Sequence, residues 1–284
     1  MFFRQLAGLV AAILLCLSLP AAAADEGIRY GAGRNQFSLA TGSPGELGLL
    51  KLLAEEFGKQ ADATMLWFKA GTGQSLSLLK EKKVDMVMVH APTQVAKALQ
   101  EGWATDKTLI GSNEFYIVGP ADDPAGIAAA SDSRDAYRRI AGKAAKWVSR
   151  GDNSGTHQKE MDLWKAAGLT YQGPNYIVTK DFMTASLKRA NAEGAYFMSD
   201  SSTWIMEKSV APDLKILFRG DKALVNTYHA LAAAPGATPG RETALKFIAF
   251  VASARGQQLI RDYGRDLYGE ALYNDAAYAL KFDQ

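Results

Sequence analysis

Cysteine is nearly absent. Cys16 is the only one in 284 residues, and it lies in an N-terminal apolar stretch. A mature chain without it has neither disulfides nor thiolate ligands, so its stability must come from burial. Histidine is scarce as well. His90, His157 and His229 are dispersed and lack the His-Glu-x-x-His spacing of a catalytic zinc site, so no metal ion is expected. A formal net charge of +2, with no basic stripe or aromatic ladder, gives no ground for a nucleic-acid partner. Repeats of about 20 to 50 residues and low-complexity segments are missing too. What remains is a chain that is 48% hydrophobic and long enough for two packed lobes.

The first residues address the chain to another compartment. Arg4 gives a short positive start, Leu6 to Leu19 is an uncharged apolar run, and Pro20 breaks it. Ala21-Ala22-Ala23-Ala24 then offers small residues for cleavage before Asp25. This is the order of a signal peptide. The run falls short of the about 20 residues that a membrane span wants. Leu15 precedes Cys16 where a lipid-attached cysteine needs a small residue. The expectation is a signal peptide over residues 1–24, cleavage near Ala24 and a soluble periplasmic chain.

Strand and helix signals then alternate. Gln36 to Ala40 reads as a strand, and Glu46 to Gln60 as a helix with Leu50, Leu53, Ala54 and Phe57 on one face. Strands follow at Thr64 to Lys69, Val84 to His90 and Phe115 to Gly119, with helices at Ser75 to Glu81 and Thr93 to Glu101. Beyond Asp122-Asp123-Pro124 come helices at Ser133 to Gly142, Thr156 to Ala167 and Met183 to Ala192. Strands at Lys146 to Ser149, Tyr176 to Thr179, Ala195 to Met198, Lys215 to Phe218 and Asn226 to Ala233 accompany them. A helix at Arg241 to Ser253 and a polar tail end the chain. This order predicts an α/β fold with a mostly parallel sheet. Two lobes joined by the strands starting at Phe115 and Asn226 fit it. One lobe would hold residues 25–115 and 230–284, the other residues 116–229.

Three loop-to-helix junctions share one chemistry. The first, Thr41-Gly42-Ser43-Pro44-Gly45-Glu46, reads as a capping box with Ser43 as cap. The second is Gly71-Thr72-Gly73-Gln74-Ser75, and the third runs from Ser149 through Arg150, Gly151, Asp152, Asn153, Ser154 and Gly155 to Thr156. A helix start carries unpaired N–H groups and partial positive charge, so it attracts anions. Glycine lets backbone approach a ligand, hydroxyls donate, and Arg150 adds a fixed charge. Thr41, Gly42, Ser43, Thr72, Arg150, Ser154, Gly155 and Thr156 are the candidate ligand-binding residues. A single junction of this kind is more often a plain cap, and three together bring the balance nearer to even; an Arg150–Asp152 pair that only braces the loop is the lesser alternative at the third.

Enzyme readings have less to stand on. Ser154 and His157 share one segment with no acid placed to orient the histidine. Gly71-Thr72-Gly73 lacks a P-loop lysine, so neither nucleotide nor other cofactor is expected. His90, before Ala91-Pro92, reads as a packed residue near the cleft.

At these junctions the chain resembles the periplasmic tungstate-binding proteins of ABC importers. The resemblance spans about Gln36 to Pro235. It rests on Leu39-Ala40-Thr41, Gly71-Thr72-Gly73-Gln74, Val89-His90-Ala91-Pro92, Phe115-Tyr116-Ile117-Val118-Gly119-Pro120, Asp122-Asp123-Pro124-Ala125-Gly126 and the run from Ser149 to His157. Glu160 and Leu163-Trp164-Lys165-Ala166-Ala167-Gly168 extend it. It implies a two-lobed, type II periplasmic-binding-protein fold with two crossings. It also implies a monomer that holds a tungstate-like oxyanion in the cleft and delivers it to a membrane permease, and not an enzyme. By position it places Thr41, Ser43, Arg150, Ser154 and Thr156 near the ligand, with Thr72 beside them. Three departures stand out. The family's Thr-Thr-Thr-Ser loop is Thr41-Gly42-Ser43 here, its Asp-Arg-Gly-Thr is Asp200-Ser201-Ser202-Thr203, and Asp181-Phe182-Met183-Thr184 replaces a Gly-Met-Gly segment. An organic carboxylate gripped by Arg150 is therefore the alternative ligand, and a hydrolase using Ser154 or His157 the alternative class.

Overall fold

A computed structural model describes residues 27–283. The expected signal peptide and its cleavage point lie outside them. The chain opens with β1 (Ile28–Tyr30), β2 (Asn35–Thr41), α1 (Ser43–Glu46), α2 (Leu49–Ala61) and β3 (Ala63–Lys69). It continues through α3 (Thr72–Lys80), β4 (Met86–Val89), α4 (Pro92–Gln100) and β5 (Ala104–Pro120). The second series is α5 (Ser133–Gly142), β6 (Trp147–Ser149), α6 (Gly155–Ala166), β7 (Tyr176–Val178), α7 (Met183–Glu193), β8 (Tyr196–Asp200), α8 (Ser201–Glu207) and β9 (Leu214–Phe218). β10 (Val225–Ala233), α9 (Arg241–Ala252), α10 (Ala254–Asp262), α11 (Arg265–Tyr268), β11 (Asn274–Asp275) and α12 (Ala276–Ala279) complete it.

The strands run in the order β1-β3-β2-β4-β10-β5-β8-β6-β7, with β9 and β11 also on β5. The long β5 belongs to both halves. Its residues up to Glu114 pair with β10, and from Phe115 onward they pair with β8 and β9. Parallel pairing is confined to β2 with β3 and β4, and β6 with β7 and β8. The rest is antiparallel: β5 and β10 run in opposite directions through the middle of the sheet, and β1 pairs antiparallel with β3. The sheet is therefore mixed where a mostly parallel one was expected.

Each half has its own core. Phe37, Phe57 and Phe247 pack mutually at 5.3–6.0 Å between ring centroids, with Leu50 and Leu53 of α2 fully buried beside them. In the other half Tyr137, Trp147 and Trp164 pack at 4.4–5.4 Å. Truncating a buried leucine such as Leu53 to alanine would cost about 2–5 kcal/mol.

Four sequence expectations change. The helix expected over Glu46 to Gln60 is broken at Gly48, whose φ of +87° turns α1 into α2. The helix expected from Ser75 starts at Thr72 instead. The strand expected from Phe115 is the second part of a 17-residue strand. The polar tail is ordered structure: Leu272 and Tyr273 are buried in the first core, and Asp283 Oδ1 lies 3.0 Å from Nε2 of the buried His229.

The candidate anion-binding cleft

α3 and α6 start toward one another. Across the gap, a β-carbon added to Gly73 would lie 2.7 Å from Asn153 Nδ2 and 2.8 Å from Asn153 O. One added to Gly155 would lie 2.3 Å from Cε1 of the His90 ring. Only glycine permits these approaches. The α3 start follows β3 and the α6 start follows β6, so the contact joins the two halves.

The two helix starts differ in capping. Ser154 caps α6, its Oγ accepting from the His157 amide at 3.3 Å. This leaves the first-turn amides of Gly155 and Thr156 without intrahelical partners. Gly71 caps α3 with no side-chain bond, so its first-turn amides are free as well. At the first junction the expected capping box does not form. Ser43 has already entered the helix, Gly42 is the cap, and Glu46 instead pairs with Lys69 at 2.6 Å. Among the described residues the Ser43 hydroxyl makes no hydrogen bond, and the residue is half-buried.

Arg150 lies beneath these starts and is only 4% exposed. Its Nη2 pairs with Asp152 Oδ2 at 2.6 Å, while its buried Nε has no partner. Burial works against the Asp152 carboxylate, but Arg150 and Ser154 outweigh it and its pKa is lowered. Asp152 also accepts from the Ser154 amide at 3.1 Å, which shapes the loop. Thus the brace weighed between Arg150 and Asp152 exists, and it leaves the buried Nε–H without a partner. An unpaired buried donor costs about 1–3 kcal/mol, which an incoming anion would recover.

Not every candidate hydroxyl is available. Thr41 is buried and donates to Met88 O at 2.8 Å, and its own carbonyl accepts from Trp67 Nε1 at 3.0 Å. Thr156 donates to Met183 Sδ at 3.6 Å. Thr72 is buried beside the His90 amide, with Oγ1 at 3.5 Å. Thr41, Thr72, Arg150, Ser154, Gly155 and Thr156 are all buried, whereas Gly42 and Ser43 are half-buried.

Groups outside the expected ligand-binding set adjoin the site, His90 among them as expected from its place near the cleft. The Phe182 ring lies between two cations, with Lys69 Nζ 4.0 Å and Arg150 Cζ 5.3 Å from its centroid. His90 Nδ1 lies 2.9 Å from Asn226 Oδ1, and Asn226 donates to Asn113 Oδ1 at 2.7 Å. Asn113 donates in turn to Asp200 Oδ1 at 3.2 Å. Because Asn226 presents its oxygen to His90, Nδ1 is the donor. Burial, with Arg150 adding to it, lowers the His90 pKa to about 4, so the ring is neutral at pH 7. Asn113 and Asn226 lie on the two crossing strands and are 113 residues apart in sequence.

Among the described residues no group of His, Cys, Asp or Glu could hold a metal ion. No helix there is long and apolar enough to cross a membrane. The arrangement offers converging amides and the unpartnered guanidinium Nε–H of Arg150, the chemistry of an oxyanion pocket.

Comparison with known proteins agrees with this architecture. Residues 29–255 match the family model described as the PBP superfamily domain. The tungstate-binding protein TupA of Peptoclostridium acidaminophilum is 30% identical over 283 residues, covering 96% of this chain and 99% of that protein. The tungstate ABC transporter structure from Geobacter sulfurreducens is 36% identical, with a TM-score of 0.74, covering 82% of this chain and 100% of that one. The tungstate-binding protein TupA from Desulfovibrio alaskensis G20 is 35% identical, with a TM-score of 0.70, covering 84% and 98% respectively. This chain therefore belongs to the PBP superfamily and, within it, to the family of two-lobed substrate-binding proteins that includes the TupA tungstate-binding proteins.

Proposed function

We propose that the protein is the extracytoplasmic substrate-binding component of an ABC importer, and that it holds a tungstate-like oxyanion, tungstate or molybdate, between α3 and α6. The observation that carries this reading is the buried Arg150 with its free Nε, set beside the first-turn amides of α3 and α6. Ser43, Thr72, Ser154 and Thr156 would complete the shell with hydroxyls or amides, and Gly42 and Gly155 with backbone. Thr41 would act from behind by fixing the loop. Closure would remove the anion from water, where fixed donors gain strength. A tetrahedral dianion larger than sulfate would be selected by the size of the space.

The tungstate-binding TupA proteins among its relatives support the ligand class. Cleavage near Ala24 would release a monomer into the periplasm, where it would meet a membrane permease. The two lobes would divide near residues 115 and 230. The protein would not be an enzyme. Ser154 Oγ is spent as the cap of α6, and His157 Nδ1 accepts from the Asn153 amide at 3.1 Å, so they form no nucleophile and base pair.

Calorimetry with tungstate, molybdate and sulfate tests the reading. Tungstate and molybdate should bind far more tightly than sulfate. Arg150→Ala should weaken tungstate by about 2–5 kcal/mol, at least about thirtyfold. No heat with either metal oxyanion would sink it. The presence of Phe182 over Arg150 favours a second reading, in which a carboxylate replaces the oxyanion. Native mass spectrometry of the protein as purified would reveal such a ligand by its mass.

A further inference from the structure

A groove of about 770 Å³ lies beside the oxyanion cleft, between α4 of the first half and α6 of the second. Its back is the start of β10, at Val225, Asn226 and Thr227, and the C-terminal residues Lys281 and Phe282 form one wall. Three lysines from separate elements surround it: Lys159 on α6, Lys222 just before β10, and Lys281 on the C-terminal segment. Among the described residues none of their ammonium groups has an ion-pair partner within 4.0 Å or donates a hydrogen bond. Lys80, by contrast, pairs with Glu101 at 3.0 Å. Asp162 is the one carboxylate lining the groove, so cationic charge is in excess.

Much of the remaining lining is apolar, with the polar Thr93 and Thr227 among it. Ala96, Leu163, Ala166, Val225 and Phe282 supply the apolar part. This is a poor site for a small inorganic dianion, which would leave the hydrocarbon uncovered. It suits a molecule with an anionic group for the lysines and a hydrocarbon body for the apolar wall. Asn226 and the neutral His90 at the groove add polar edges to fix its orientation.

We propose that this groove is a second ligand site, taking an organic anion with an apolar body such as an aryl carboxylate or aryl phosphate. Its walls come from both halves of the molecule. An occupant would therefore brace one relative position of the lobes and couple to closure over the oxyanion. Burial lowers the Lys159 pKa, and a bound anion would raise it again. The C-terminal wall is held where Asp283 meets His229, with Lys107 Nζ 3.7 Å from Asp283 Oδ2.

The test uses 1-naphthyl phosphate as probe, titrated calorimetrically into the full mature protein saturated with tungstate. A Kd of about a millimolar or tighter is expected, the scale for a ligand of that size. Combining Lys159→Met, Lys222→Met and Lys281→Met should weaken the probe at least about tenfold and leave tungstate within about twofold. Arg150→Ala, assayed without tungstate, should retain the probe. In the wild type the probe should also slow chemical acetylation of these three lysines relative to the exposed Lys51. Four results would overturn the proposal: no binding at several millimolar, undiminished binding in the triple variant, loss of the probe with Arg150→Ala, or no protection from acetylation. Because the probe is also read on the Arg150 variant, failure of tungstate to bind would not be mistaken for failure of this site.

Discussion

Gly73→Ala should separate fold stability from ligand closure. Gly73 is the second residue of α3, a position where alanine is the better helix former by about 1 kcal/mol. Within its own lobe the added methyl is therefore neutral or mildly stabilising. Across the cleft it would lie 2.7 Å from Asn153 Nδ2 and 2.8 Å from Asn153 O. The amide nitrogen can swing aside, but the carbonyl belongs to the loop that carries Arg150 and Ser154, and that loop must shift. Overpacking of this kind costs about 1–3 kcal/mol, charged to the closed state alone. The expected outcome is tungstate binding about 5- to 150-fold weaker, with a ligand-free melting temperature equal to or above that of wild type. Calorimetry and thermal denaturation on the same preparation measure both. A variant with wild-type affinity, or one whose affinity falls only in step with its stability, would refute the cross-cleft contact as a condition of binding.

Glu160→Gln should change how stability follows pH. Burial raises the Glu160 pKa to about 7, although Tyr176, Trp147 and Trp164 donate to its Oε1 at 2.7, 3.0 and 3.3 Å. A folded pKa above the unfolded value favours folding at low pH and loses that contribution as pH rises. Relative to the glutamine variant, wild type should thus lose about 3 kcal/mol between pH 4.5 and 7, read by urea denaturation; a constant difference would contradict the assignment. His90 acts oppositely. Its pKa is depressed to about 4, so its contribution is present above 6.5 and falls away on acidification toward 4, and His90→Gln should flatten the acid limb of the urea profile. Phe182→Ala removes the ring between Lys69 and Arg150, each contact being worth about 0.5–1 kcal/mol. Tungstate should weaken several-fold with the order over molybdate and sulfate preserved, and an unchanged titration would show the ring to be a bystander.

The order of strands and helices was legible because most of them carry continuous apolar runs or helical periodicity. Val148 and Val87 are fully buried, and α6 begins at Gly155, one residue before the expected Thr156. Residues 104–114 were missed because Thr105, Asp106, Lys107 and Thr108 read as a polar loop. They form a strand because β10, buried at every position, supplies the pairing partner. The C-terminal segment was missed for a related reason. Its few buried residues, such as Leu272 and Tyr273, show no periodicity and gain their place from a core built by distant elements. At the site, Arg150 and the glycines announced themselves through loop chemistry. Asn113, Asn226 and Asp200 did not, since a buried polar network joins residues 87 and 113 positions apart and leaves no local pattern. The false capping box at Ser43 shows the converse, where a local pattern was present and Gly42 took the cap.

Anomalous diffraction at the tungsten edge from crystals grown in tungstate would locate the anion directly. A single strong peak is expected between the first turns of α3 and α6, within hydrogen-bonding reach of Arg150 Nε. A peak elsewhere, or none at saturating tungstate, would contradict the assignment of those amides and that guanidinium to oxyanion capture.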